Sequence, residues 1–253
     1  MVKNFGYVQL KNFDQATKNA KQGFAQIFSG TDFLQGGSPY YKHVVELLQP
    51  KKDQSLVDLG FGRGFFLREL EGKGMKLYGV DFCEGAKDAA AKVLNEAKLF
   101  VADLHDLPFK TGTFDFVTCL GVIEHLVHPE KGVHEISRVL KKEGLAILTI
   151  PNSVYASLNL SKQMVFFHTA RMLHAIGLRK KIAVHVRQPI DRFYTPQEGK
   201  QLLEKNGLRV VYAELVKSKR EHFSIFARFS QGKISPSLRV LNANFTLYVC
   251  KQQ

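Results

Sequence analysis

Three glycines at alternate positions, Gly60, Gly62 and Gly64, follow an acidic residue, Asp58, at the end of an apolar run. Glycine suits such a place for two reasons: a side chain would keep a ligand off the backbone, and a tight turn can demand positive φ. The dinucleotide pattern G-x-G-x-x-G would put its last glycine where this chain has Phe65, which counts against a pyrophosphate site. Asp81 stands 21 residues after Gly60, and a carboxylate there can accept hydrogen bonds from both hydroxyls of a ribose. Asp103, within Val101-Ala102-Asp103-Leu104, can accept from an exocyclic adenine amine. Each of these aspartates alone could cap a helix. Three at successive strand ends describe a nucleoside site, because ligands of open α/β sheets bind outside the carboxyl ends of the strands. A fourth feature is the pair Glu124-His125. Neutral imidazole accepts a proton near pH 7, so His125 with Glu124 is the candidate base; orienting the loop is the alternative role. His105, His128 and Tyr194 fit structural roles better.

The elements that must position these residues alternate between short β-rich runs and helical patterns, the mark of a parallel sheet with crossover helices. Strands are predicted over 55–59, 76–80, 99–102, 114–120 and 145–150, and helices over 65–71, 84–97 and 129–141, the last with a proline in its first turn. By this reading Asp58, Asp81 and Asp103 fall at the ends of the first three strands. Beyond Pro151 the alternation lapses for about forty residues. It resumes at Thr195-Pro-Gln-Glu, a helix cap, with a helix ending near Asn206-Gly207 and strands over 208–216 and 244–250. The run 221–229 also alternates, so the strand that closes the sheet has two candidates.

With 253 residues and 45% apolar content the chain can bury one large core. Cys83, Cys119 and Cys250 are odd in number and lack paired spacing, which fits packed strands in a reducing cytoplasm. Residues 144–161 carry no charge, but Pro151, Asn152, Ser153, Ser157 and Asn159 interrupt them, so no transmembrane helix is expected. The N-terminus has no apolar core of the secretory kind. A cytoplasmic protein follows, free or bound peripherally at the inner membrane face. The net charge of +13 is uneven: residues 153–192 hold seven Lys and Arg against one Asp, and 217–240 hold six against one Glu. Anionic lipid, an anionic substrate or nucleic acid would each suit these stretches, as would a solvated surface.

The runs VDLGFGRG, YGVDF, VADLHDLPF, TFDFVTCLGVIEHL and GLAILTIPN, with RFYTPQEGKQLLEKNGL beyond them, resemble the class I S-adenosylmethionine (SAM)-dependent methyltransferases. The likeness is strongest to the subgroup that includes ubiquinone- and menaquinone-biosynthesis enzymes. It implies a Rossmann-like, doubly wound, mostly parallel seven-stranded sheet with an antiparallel last strand. It also implies that Asp58, Gly60 and Gly62 meet the methionine part of SAM, Asp81 the ribose, and Asp103 and Leu104 the adenine, with Phe82 flanking the ring. The Cys119-Leu120 backbone would pass near the sulfonium. Some quinone enzymes of this kind pair Glu-His with a further Glu three residues earlier for a divalent metal; this chain has Gly121 there, so no metal is expected.

Two regions lie beyond the minimal fold. Residues 1–48 are rich in aromatics and are expected to form helices that close as a lid, with Tyr40 or Tyr41 near SAM. Within the domain 49–253, an insertion at about 153–192 is expected over the acceptor pocket, with Phe166, Phe167 and Tyr194 lining it and Arg179-Lys180-Lys181 meeting phosphate head groups. The function expected is methyl transfer from SAM to a small apolar or lipid-like acceptor, oxygen first among the nucleophiles. The competing readings are an RNA methyltransferase, which would normally show an Asn/Asp-Pro-Pro-aromatic run where this chain has Leu120-Gly121-Val122-Ile123, and a SAM-binding protein without catalysis.

Overall fold

A computed structural model describes residues 40–153, 190, 192–216 and 245–253. Most of the N-terminal region, nearly all of the insertion with Phe166 and Phe167, the second basic stretch and the run 221–229 lie outside the described residues.

The first described element is α1 (Tyr40–Leu48), whose Tyr40, Val44 and Leu48 recur every fourth residue and are buried. Strands β1 (Ser55–Leu59) and β2 (Lys76–Asp81) follow, joined through the short α2 (Phe65–Arg68). Next come α3 (Glu84–Ala90) and β3 (Lys98–Val101), then β4 (Phe114–Leu120), a short 3₁₀ turn over Ile123–His125, and α4 (Pro129–Val139). The chain ends with β5 (Leu140–Pro151), α5 (Pro196–Lys205), β6 (Leu208–Val216) and β7 (Phe245–Gln252).

The strand order is β3-β2-β1-β4-β5-β7-β6, with β7 antiparallel to both neighbours. Because the chain winds outward from β1 through β2 to β3 and then returns to β4, the reversal falls between β1 and β4. A crevice opens at such a switch point. The sheet carries a buried apolar layer on each face, one built around Val117, Ile136 and Leu148, the other around Val44, Leu67 and Ile147. The seven-stranded, mostly parallel sheet agrees with the sequence expectation; Cys83, Cys119 and Cys250 form no disulfide and are buried, Cys119 and Cys250 in strands as expected but Cys83 at the N-cap of α3.

Several boundaries differ from the sequence reading. Helices α2 and α3 end three and seven residues early, since turns at Gly72 and Gly74, both at positive φ, and at 91–93 interrupt them. Strand β5 begins at Leu140 directly after α4, not at residue 145. Leu140 pairs with Phe114 across a register shift, so the strand takes in Leu140 and Lys141, expected as the end of the helix, and the polar 142–144 run, expected as neither. At Thr195 the sequence reading holds in detail: its hydroxyl accepts from the Glu198 amide and the Glu198 carboxylate accepts from the Thr195 amide.

Candidate functional site

Strand register places the acidic residues along one sheet edge. Asp58 is level with Gly79 of β2 and Thr118 of β4, and Asp81, two residues further along β2, is level with Val101 of β3. Asp103 lies two residues beyond the end of β3 rather than at its last position, in a turn that His105 closes by donating its amide to Oδ1 of Asp103 at 3.0 Å.

Between β1 and α2 the chain turns through Gly60 (φ 76°) and Gly62 (φ 54°). A Cβ on Gly60 would stand 2.3 Å from Cγ2 of Val122, so this glycine is required both by backbone angle and by the loop after β4 pressing against it. The Gly62 amide donates to Oδ2 of Asp81 at 3.0 Å and the Cys83 amide donates to Oδ1 at 3.0 Å. The strand-end acid thereby organises the glycine turn. A carboxylate has about four lone-pair sites, so these bonds together with one from the Phe82 amide leave acceptor capacity for a further donor.

Burial dominates the electrostatics. Asp58 is 3% exposed and its carboxyl is pushed up to about 7 by desolvation; the Thr118 hydroxyl bond at 2.7 Å opposes the rise and the neighbouring Asp81 charge adds to it. Asp81 is also raised by burial, against the amide bonds of Cys83, Gly62 and Phe82. Two desolvated acids close enough to sense each other favour a cationic, donor-rich ligand. Tyr41 reaches the same place: burial, then Tyr40, then the Asp58 charge raise its hydroxyl far above the usual range. Tyr40 is buried edge-on to Tyr41 with ring centroids 5.2 Å apart. Phe82 is half-buried at the end of β2. The Leu104 side chain turns into the core against Gly132 of α4. Cys119 is fully buried and its thiol lies well above its ordinary value through desolvation, with Glu124 and Asp58 adding to the rise, so it is not a nucleophile; Leu120 is half-buried.

The loop after β4 carries Glu124 and His125. The Ile190 carbonyl accepts from Nδ1 of His125 at 2.7 Å, so the ring carries its proton there and its lone pair on Nε2, which lies 3.8 Å from Oε1 of Glu124. His125 is lowered to about 4, chiefly by burial, with the Arg192 charge adding and the Ile190 carbonyl opposing. Arg192 straps this loop: its guanidinium donates to the carbonyls of Leu126 and Val127, and its amide donates to the carbonyl of Glu124. Tyr194 pairs with the end of β5, its carbonyl accepting from Ser153 and its amide donating to Pro151. Sequence reasoning missed Thr118 and Arg192. A threonine inside the otherwise apolar Phe116–Leu120 stretch was the available signal for the first; nothing local marks the second.

Fold order, glycine turn and acid edge together define a Rossmann-like nucleoside-binding α/β fold. Residues 57–148 match the Methyltransferase domain family (Methyltransf_11). The chain is 33% identical over 126 residues to the chloroplastic 2-methyl-6-phytyl-1,4-hydroquinone methyltransferase of Spinacia oleracea, covering 48% of this chain and 35% of that protein. It is 29% identical to the demethylmenaquinone methyltransferase of Thermotoga maritima, covering 42% and 48% respectively. The chain thus matches between about a third and about half the length of these relatives. A TehB-like SAM-dependent methyltransferase from Corynebacterium glutamicum shares the fold at a TM-score of 0.54 and 17% identity, over 96% of this chain and 100% of that one. Residues 57–148 are thus similar to a methyltransferase domain, and the solved structure shares the fold. The site fits SAM on its own terms: the positive-φ Gly60-Gly62 backbone leaves room for a close approach, and the buried acids Asp58 and Asp81 answer a ligand with a sulfonium, an ammonium and ribose hydroxyls. Among the described residues no group of His, Cys, Asp and Glu is arranged to hold a metal.

Proposed function

We propose that the protein transfers a methyl group from SAM to a small apolar or lipid-like acceptor, with an oxygen nucleophile preferred. SAM, when bound, supplies an electrophilic methyl carbon on a sulfonium. In-line displacement from it demands mainly alignment. In this reading Asp81 accepts from the ribose hydroxyls, Asp103 from the adenine amine beside Phe82 and Leu104, and the Gly60-Gly62 backbone with Asp58 holds the methionine end. The Cys119-Leu120 backbone lies near the sulfonium, and Tyr40 closes that end from α1.

The buried, paired Asp58 and Asp81 at the glycine turn are the observation that carries this reading. His125 is assigned a narrower part than general base. A group lowered to about 4 is a weak proton acceptor, and a second positive charge beside Arg192 is disfavoured, so the ring orients an acceptor hydroxyl by accepting its hydrogen bond, with Glu124 alongside. Such a site suits an acceptor that ionises readily by itself, as a quinol or phenol does. The hydroquinone and demethylmenaquinone methyltransferases named above support that class.

Residues 1–48 are assigned the lid and residues of about 153–192, with Phe166, Phe167 and Tyr194, the acceptor pocket. No helix among the described residues is long and apolar enough to cross a membrane. The basic stretches 153–192 and 217–240 support peripheral binding to an anionic surface from which an apolar acceptor is drawn. The test is binding of SAM and S-adenosylhomocysteine by calorimetry, followed by turnover with quinol, phenol, lipid and glycolipid acceptors. Binding abolished by Asp81→Ala, with product from a quinol or phenol, is expected. Binding without product from any acceptor, RNA included, would leave a cofactor-binding protein without catalysis.

A further inference from the structure

We propose that His105 is a positioning residue of the nucleoside site: its imidazole fixes the Asp103 carboxylate and ties it to the loop carrying Glu124 and His125. The inference rests on the reading above, in which Asp103 takes the adenine amine. The His128 amide lies 3.2 Å from Nε2 of His105. An amide N–H can only donate, so Nε2 holds the lone pair and the ring proton sits on Nδ1. That nitrogen is 2.6 Å from Oδ1 of Asp103, and it donates to the carboxylate in a short, charge-assisted bond. With the His105 amide donating to the same oxygen, two donors from one residue set the plane in which the carboxylate faces a ligand. The His105 side chain is 11% exposed and that of Asp103 is 34% exposed, so the positioning group is sheltered while the positioned one stays near the surface of the crevice.

The far end of the tie is the N-cap position of α4. His128 makes no side-chain cap there; its amide is the donor to His105, and its ring stands edge-on to the His105 ring with centroids 6.2 Å apart. The loop after β3 has a second anchor downstream. Glu135 accepts from the Leu107 amide at 2.8 Å, and Arg138 donates to the carbonyls of Phe109 at 2.7 Å and Leu107 at 3.1 Å. Removing the imidazole therefore takes away one of the two His105 donors to the carboxylate without releasing the loop, so the predicted effect is on recognition more than on folding.

Two substitutions divide the two bonds. His105→Gln can accept from the His128 amide but then offers Asp103 no side-chain donor, only the backbone amide; His105→Asn keeps a short side-chain donor to Asp103 and falls short of His128. The ligands are S-adenosylhomocysteine and its 6-oxo analogue S-inosylhomocysteine, which presents an acceptor where the adenine presents a donor. Wild type should prefer the adenosyl form. That preference should fall about tenfold in His105→Gln and His105→Ala, as expected for losing a charge-assisted bond that aligns an acceptor, and should persist in His105→Asn. A purely structural role would weaken both ligands equally and leave the ratio unchanged, which would overturn the proposal. Imidazole nitrogen shifts of the ligand-free wild type give a second readout: a proton on Nε2 rather than Nδ1 would overturn it even if every variant failed to fold. Should the wild type bind neither ligand, the methyltransferase reading falls and this inference with it; an unchanged ratio with tight wild-type binding sinks this inference alone.

Discussion

Asp58 combines full burial with a carboxyl at about 7, and that combination has a sign. A group whose folded value lies above its unfolded value contributes stability that is fully present at low pH and is lost as pH rises through the folded value. Between pH 5 and 8 the ligand-free protein should therefore lose about 2 kcal/mol relative to Asp58→Asn. Thermal melts of both proteins across that window check it, and parallel curves would refute it. Gly60→Ala should cost about 3 kcal/mol, partly from the left-handed angle and partly from the clash with Val122. Adding Val122→Ala should return the steric part only, which a double-mutant cycle in denaturant measures. Asp58 and Asp81 were legible in the sequence because each stands in an otherwise apolar run, where a polar side chain needs a reason, and the glycines because they recur at alternate positions directly after one. The contact that makes Gly60 indispensable was not, because Val122 lies sixty-two residues away and nothing local links them.

At the scale of elements, the loop after β4 owes its shape to a strap rather than to its own sequence. Arg192 satisfies two loop carbonyls and Ile190 holds the His125 ring. Arg192→Met keeps much of the apolar stem but removes both bonds. It should raise amide exchange at residues 124–127 by about tenfold or more and, on the function proposed above, lower kcat more than cofactor affinity, since the strapped loop carries the Glu124-His125 pair assigned there to the acceptor. Mass-resolved hydrogen exchange and SAM titration separate the two effects. Helix and strand types were readable from periodicity. Their ends were harder where composition and pairing disagree, as at Lys141–Gly144, which continue β5 because Leu140 is already paired with Phe114.

For the whole molecule, the sheet order puts the last strand in an interior position. β7 lies between β5 and β6 and supplies hydrogen bonds to both, and its Leu247, Tyr248 and Cys250 are buried. Deleting residues 245–253 should abolish cooperative unfolding rather than trim an edge, a result that calorimetry and gel filtration would show; a sharp melt in the truncated chain would contradict the assigned order. The interior place of β7 also bears on synthesis. On the ribosome, β6 emerges before its sheet neighbour β7, and it must wait until β7 clears the exit tunnel and slots in beside it. The nascent protein thus keeps the gap beside β5 open until β7 has been made, a period in which a chaperone that shields unpaired strands has most to offer.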